Sequence, residues 1–378
     1  MRADQVHDSP GQGVTGLYTV KVASTDRMLP ALEADWNRLS QASEHPNVFT
    51  TYGWFQAWIR RFIEERSGSR VRPHVLVLKE GNAVVGIAPL IRRISSRLGF
   101  KVRKLEFLTS HADYNDLVLG SDPVGQTGAI VDYLARTSKE WDVADLRGLR
   151  NTGEGTEPIE SALKHAGLLY QIFPDQEICP HMRIIGDATE MIKRRSRHVR
   201  HFLRNQSARA AAQGLRTRII ENPESEPNLL KTLVKLDWLK HLHKSTPAFV
   251  SAYPEVFQSL FDTLGPRGWL FVALLEQGDR PIAFQLGFRC GVELWDYTKA
   301  YDQSFFRLSP GTLLLQAVLT YGFARGFSEY DFLRGDEQYK KEWSTGCRRQ
   351  FRLLIWNRRW VSRLSAFAYF KLHDSRCG

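Results

Sequence analysis

The chain has 378 residues, 43% of them hydrophobic and 25% charged, with a formal net charge of +11. That length can bury two cores, and the longer apolar runs, such as residues 269–275 and 366–370, fall far short of the roughly 20 residues that span a bilayer. Residues 190–218 hold nine Lys or Arg against one Glu, so a single segment, at +8, carries most of the excess charge.

The start of the chain mixes Asp4, His7 and Asp8 with glycines, which is neither the basic start nor the apolar stretch of a secretory signal. It reads as a flexible N-terminus, residues 1–16, of a cytoplasmic protein. The GxGxxG spelled by residues 11–16 follows no strand, so it lacks the context of a dinucleotide site. Cys179, Cys290, Cys347 and Cys377 lie far apart without CxxC spacing, as expected of free thiols in a reducing compartment. Leu32, Trp36 and Leu39, then Trp54, Phe55, Trp58, Ile59 and Phe62, recur at three- and four-residue spacing and predict two amphipathic helices.

Residues 75–92 then read as strand, tight turn at Gly81-Asn82, strand, and residues 271–289 repeat this around Gly278-Asp279. Residues of these types tolerate the positive φ of two-residue hairpins. A strand, a loop, a helix and another strand follow each hairpin: 116–119, 128–136 and 144–148 in the first half, and 292–300, 312–325 and 330–335 in the second. The pattern predicts a duplicated α/β unit. Residues 188–213 are helix-compatible and stop at Gly214, ahead of a strand at 216–221. The expected organisation is a first unit at 17–186, a basic connector helix at 187–214 and a second unit at 215–378.

Two stretches of the second half carry chemistry. Ser309-Pro310-Gly311-Thr312 opens a helix, whose free N–H groups and positive dipole end can cradle a phosphate that meets no Cβ at glycine. After the strand at 329–333 comes the dense polar run Arg334 to Trp343, and ligands of α/β folds bind at the carboxyl ends of strands. In the first half, Asp113, Tyr114, Asn115 and Asp116 either hydrogen-bond a sugar-like acceptor or simply form a turn. His241-x-His243 lacks a partner at zinc spacing, and no GxSxG elbow is present, so no metal or serine site is expected.

The second hairpin, Tyr301-Asp302, Ser309-Pro310-Gly311, Gly326, residues 331–335 and Tyr339-Lys340 with Trp343 resemble the CelD/BcsL-type acetyltransferases, GNAT relatives of the Fem peptidyltransferases. More weakly, Trp54, residues 86–90 and 113–116 extend the resemblance over about residues 30–355. It implies an α/β fold of two tandem GNAT-like units, with acyl-CoA, acetyl-CoA foremost, bound in the second. The strands flanking the pyrophosphate helix would part to admit pantetheine, with Tyr297 on the first of them joining Ser309, Pro310, Gly311 and Thr312 in the donor site. The acceptor it implies is an amine or hydroxyl of a sugar or of an exopolysaccharide or cell-envelope precursor. A Fem-like aminoacyl-tRNA-dependent transferase and a non-catalytic binding module remain alternatives on the same fold.

Acyl transfer from a thioester requires a base, a donor for the oxyanion and an acid for the thiolate. Asp331 and Glu337 are the candidate bases, although either can instead pair with Arg334 or Lys341. Tyr339 is the candidate acid. Lys340 sits in Tyr339-Lys340-x-x-Trp343, which resembles the Fem Phe-Lys-x-x-Phe element, and the resemblance implies an oxyanion-stabilising lysine. Acceptor contacts are expected from Asp113, Tyr114, Asp116, Arg334, Trp343 and Arg197. Lys193, Arg194, Arg195, Arg197, Arg200 and Arg204 fit a nucleotide- or lipid-linked sugar, a tRNA or a solvated helix face, with no DNA expected. Residues 360–372 can lie on an anionic membrane at the inner face or pack on the second core.

Overall fold

The computed structural model describes residues 13–15, 17–64, 71–97, 100–108, 111–150, 156–186, 188–193, 195, 197–241, 248–359 and 362. The chain divides into two units, residues 1–176 with 349–378, and residues 177–348.

In the first unit β1 (Gly13–Thr15) and β2 (Tyr18–Ala23) precede α1 (Glu33–Ala42) and α2 (Tyr52–Glu64), the two helices that the aromatic spacing predicts. Gly13–Thr15, expected in a flexible tail, pair antiparallel with β2. Then come β3 (Val71–Pro73), β4 (Val75–Glu80), β5 (Ala83–Ala88), β6 (Leu90–Arg97), β7 (Phe100–Phe107) and β8 (Val118–Leu119). The unit continues with α3 (Pro123–Arg136), β9 (Val143–Arg150), α4 (Glu157–His165) and β10 (Leu169–Arg183). One sheet runs β1-β2-β4-β5-β8, and β9, β7, β6 and β3 are neighbours in that order in another. Val20, Leu76, Leu78, Ile130, Leu134 and Leu146 form its core with Trp141.

The second unit holds α5 (Ala188–Lys193), α6 (Arg197–Ala212), β11 (Leu215–Ile220), α7 (Leu229–His241), α8 (Phe249–Ala252) and α9 (Pro254–Leu264). Its site-bearing half is β12 (Leu270–Gln277), β13 (Arg280–Cys290), β14 (Glu293–Tyr301), α10 (Pro310–Ala324), β15 (Glu329–Asp331) and α11 (Gln338–Trp343), and β16 (Gly346–Trp356) closes the described chain. The sheet order is β11-β12-β13-β14-β15-β10. The six buried residues from Leu270 to Leu275 are consecutive, the signature of a strand covered on both faces. α10 is apolar nearly all round and packs Leu314, Val318 and Leu319 into this core.

Both hairpins form where the glycine turns predict them. Gly81 and Gly278 each have φ +57, a conformation that costs an L side chain roughly 1–2 kcal/mol. Each hairpin also slips register once, at Leu78/Lys79 and at Leu275/Glu276. The unit boundaries differ from those expected at 186/187 and 214/215, because the units exchange strands. β16, which follows the second repeat, pairs with β9 through residues 350–356, and β10, which follows the first, pairs with β15 through His181–Arg183. The expected connector is thus two helices, α5 and α6, that belong to the second unit.

Candidate active site

β14 and β15 pair in parallel only at Glu293↔Glu329, Leu294↔Tyr330 and Trp295↔Asp331. β15 stops there while β14 runs on to Tyr301. Against β13, Thr298 faces Leu286 and Asp296 faces Gly287, so Tyr297 is an unmatched bulge residue. Such a bulge bends the strand and raises its twist, and from Asp296 onward β14 has no β15 partner on that side. The Tyr297 ring packs on Phe288 and Phe249, at 4.9 and 5.7 Å.

β14 leads through a 3-10 turn, Gln303–Leu308, to the start of α10. Ser309 there is left-handed, φ +52, and its side chain makes no capping bond. Its carbonyl accepts from the N–H groups of Thr312 and Leu313 at 2.9 and 3.2 Å, Pro310 is buried in the first turn, and a Cβ on Gly311 would meet nothing within 4 Å. The helix start is therefore open, with the positive end of its dipole uncompensated by a side chain of its own cap.

A polar cluster lies on the strands that part. Gln285 on β13 donates through Nε2 to the Tyr330 hydroxyl at 2.6 Å, and Lys299 donates to Asp296 at 2.6 Å. The Lys299 ammonium sits 4.4 Å from the centre of the Tyr339 ring. Burial, then the charges of Asp296 and Glu337, push the Tyr339 phenol far above its ordinary range, and burial likewise raises Tyr330.

α11 carries a second group. The Lys340 side chain is buried and donates to the Arg334 carbonyl at 2.6 Å and to Glu337 at 3.1 Å. Gly335 is required by this packing, since a Cβ there would stand 2.7 Å from Lys340 Nζ and clash with the Glu337 carboxylate. Arg334 pairs with Glu177 at 3.1 Å and Lys341 with Asp336 at 3.4 Å. Trp343 is buried beneath the Arg195 guanidinium, 5.2 Å from its ring centre.

Asp331 is engaged by Arg348 and by the backbone of Leu333. It is 0% exposed; Oδ1 accepts from the Leu333 N–H at 2.8 Å and Oδ2 from Arg348 at 3.1 Å. The first bond supports Leu333 at φ +55, a conformation that few branched residues adopt. Glu293, Glu329 and Asp331 bring carboxylate oxygens within 4.8 Å of one another. The Arg348 guanidinium pairs with Glu329 and Asp331 and reaches Glu293 at 3.9 Å, and its pKa is raised by these carboxylates. A guanidinium already neutralises this set, so it does not call for a cation.

Thus Ser309, Pro310, Gly311 and Thr312 open α10, Tyr297 is the bulge residue of β14, and Glu337, Tyr339, Lys340 and Trp343 share α11 and its cap. Arg197 lies apart from these on α6, and Asp113, Tyr114 and Asp116 belong to the first unit. There Tyr114 is fully buried under Arg150, whose guanidinium is 5.1 Å from the ring centre, and burial pushes the Asp116 carboxyl up to about 6. Sequence reasoning missed Gln285, Asp296, Lys299, Tyr330 and Arg348. The available signal for two of them was Asp296 and Lys299, the charged residues inside the strand 294–300. Arg194 and residues 363–372 lie outside the described residues, and no described helix is long and apolar enough to cross a membrane.

The family match falls on this half of the chain, and the similar solved structures span most of the chain. Residues 197–341 match the acetyltransferase (GNAT) domain family. Residues 197–341 thus carry a GNAT-type domain, within a mixed α/β fold of two units. The crystal structure of FemX superposes with a TM-score of 0.60 at 11% identity, covering 85% of this chain and 95% of that one. A conserved protein of unknown function from Bacteroides thetaiotaomicron VPI-5482 gives 0.58 at 10%, covering 89% and 100%. The C-terminal domain of a putative lysylphosphatidylglycerol synthetase from Agrobacterium fabrum gives 0.55 at 13%, covering 92% and 96%. At these identities the likeness is one of fold. No curated relative matches the sequence.

Proposed function

We propose that this protein transfers an acyl group, acetyl foremost, from acyl-CoA to an amine or hydroxyl of a sugar or cell-envelope precursor. The observation that carries the reading is the parting of β14 from β15 beside the uncapped start of α10. A thioester arm lying between the strands can pair with the free backbone of β14, and its diphosphate can take the helix start and the Gly311 opening.

The acceptor nitrogen or oxygen attacks the thioester carbonyl, forming the new C–N or C–O bond, and the C–S bond breaks as the tetrahedral intermediate collapses. Glu337, at the mouth of α11 and 3.1 Å from Lys340, takes the proton of the nucleophile. It is preferred to Asp331, whose two oxygens are engaged by Arg348 and the Leu333 N–H. Lys340, fixed by the Arg334 carbonyl, directs its remaining donor at the oxyanion, where a charge held out of water counts most. Tyr339 stays protonated across the working pH range and hydrogen-bonds the departing sulfur; as it passes its proton to the thiolate it takes up the one that Glu337 removed from the nucleophile, so no free phenolate accumulates. Lys299 over the ring offsets the negative charge that builds on the phenol during this transfer.

Two measurements test this. Calorimetry is expected to detect acetyl-CoA binding, and with an acceptor in hand Lys340→Ala should lower kcat by about 10²–10³ while leaving acetyl-CoA affinity nearly unchanged. Absence of acyl-CoA binding removes the donor, and near-normal turnover of Lys340→Ala removes the assignment of the lysine.

A further inference from the structure

A cavity of about 750 Å³ lies against α5, α6 and α10, lined by Lys193, Arg197, Arg200, His201, Arg204 and Gln316 among others. Arg197, Arg200, His201 and Arg204 follow the i, i+3, i+4, i+7 spacing of one helix face, opposite the buried Leu203 and Ala210. Like charges at these spacings repel. Two of the arginines also stand in the first turn of α6, where no acidic residue offsets them and the helix dipole opposes positive charge. Among the described residues Lys193 pairs with Glu190 at 2.9 Å, Arg200 donates to the Lys193 carbonyl at 3.0 Å, and Arg197 and Arg204 have no carboxylate partner. Among the described residues this helix therefore holds a concentration of charge with few carboxylate partners, around a hollow of ligand size.

The hollow has an apolar neighbour. Ser207 donates to Gln316 at 3.2 Å, and these two residues also border a groove floored by Ala210, Ala211, Leu313 and Ala317. A charged pocket beside a slot lined by alanines suits a ligand with phosphates at one end and a flat base at the other. Gln316 lies five residues beyond Gly311, about 7.5 Å along α10 at 1.5 Å per residue.

We propose that the α5–α6–α10 cavity binds the phosphates of a nucleotide-bearing small molecule, with the base over the alanine groove. Two sources share this chemistry: the nucleotide end of the acyl-CoA donor, in which case the proposal deepens the reading above and rests on it, and a nucleotide-linked acceptor. A hollow of about 750 Å³ against three helices has room for a single nucleotide rather than for the long phosphate track of an RNA.

The test is calorimetry on the full chain and on the double variant Arg197→Gln, Arg204→Gln, with CoA, 3′-dephospho-CoA, UDP and a short single-stranded RNA as titrants. The variant should bind CoA at least tenfold more weakly and keep its Tm or gain in it, because the lost charges repel one another. A loss confined to CoA assigns the cavity to the ribose phosphate of the donor, and an equal loss for dephospho-CoA assigns it to the diphosphate. A loss for UDP with CoA unaffected, or with no CoA binding by either protein, supports the cavity with an acceptor nucleotide as its source, and in the latter case the donor reading fails by itself. Unchanged binding of CoA and UDP overturns the cavity and leaves the donor reading intact. A loss seen for RNA alone also overturns it.

Discussion

The two units reach the same point of the repeat and treat it in opposite ways. In the second, α10 begins at Ser309 without a side-chain cap, and a Cβ on Gly311 would meet empty space. In the first, α3 begins at Asp122, whose carboxylate accepts from the Gly125 N–H at 3.0 Å and from the Tyr18 hydroxyl at 2.7 Å. The first helix start thus has its anion covalently built in. The strands differ in the same sense. β14 keeps a long free edge past Trp295, whereas β8 has two residues and the parallel contact to β9 is a single bridge, Asn115↔Leu149. Of these two helix starts the side chains leave the second open, and this is why the donor is proposed for the second unit.

Importing the first unit's cap into the second is the sharpest way to break this contrast. Ser309→Asp puts a carboxylate at the position equivalent to Asp122, and aspartate tolerates the left-handed backbone found there. The helix should be no less stable, while a fixed negative charge beside the diphosphate should weaken acetyl-CoA binding by about 100-fold, corresponding to roughly 2.7 kcal/mol. Calorimetry paired with a thermal melt separates the two effects. Unaltered affinity in a folded variant would mean that the α10 start is not where the donor's phosphates lie.

What could be read beforehand follows the range of the interactions involved. The hairpins at Gly81 and Gly278, the amphipathic helices and the start of α10 rest on residues within a turn or two of one another, and the local pattern exposes them. The need for Gly335 is local too, since the Lys340 it accommodates is five residues away, but no residue type in the polar run announces it. The unit boundaries depend on which strand β9 and β15 choose as a neighbour, and β10 and β16 have no local mark of an exchange. Asp331 lay in the expected site, but its engagement came from Arg348, 17 positions on, rather than from the nearby Arg334 or Lys341. Gln285, Asp296 and Tyr330 meet only because three strands align, so no spacing along the chain announces them.

A smaller effect probes the first unit's own half-buried carboxylate. Burial raises Asp116 to about 6, against the downward pull of the Leu117 N–H and Arg150. With a folded pKa above the unfolded one, the folded state holds the extra proton between about pH 4 and 6. The resulting stability is full below the unfolded pKa and is lost as pH rises through 6. Asp116→Asn keeps an acceptor for the Leu117 N–H and cannot ionise. Denaturant melts should therefore find the variant close to the wild type at pH 4 and ahead of it at pH 7, by an amount on the order of 2 kcal/mol after allowing for solvent screening. A constant difference across that range would show that this carboxylate does not titrate as its burial implies.

The smallest effect is expected from removing the built-in anion of the first unit. Asp122→Ala takes away the cap and the Tyr18 partner, two hydrogen bonds within the first unit, so the loss falls on stability. The Tyr18 hydrogen bond first, and the Gly125 N–H second, hold the Asp122 carboxyl below its ordinary range. A depressed folded pKa gives stability that is present above the unfolded value and disappears as pH falls through the folded one. The Tm of Asp122→Ala should accordingly lie slightly below that of the wild type at pH 7 and converge with it in acid, with acetyl-CoA affinity unchanged throughout. If removing this carboxylate instead created a second, weaker acetyl-CoA site, visible as a stoichiometry above one, the first unit would retain a latent donor site and the contrast between the helix starts would reduce to this one residue.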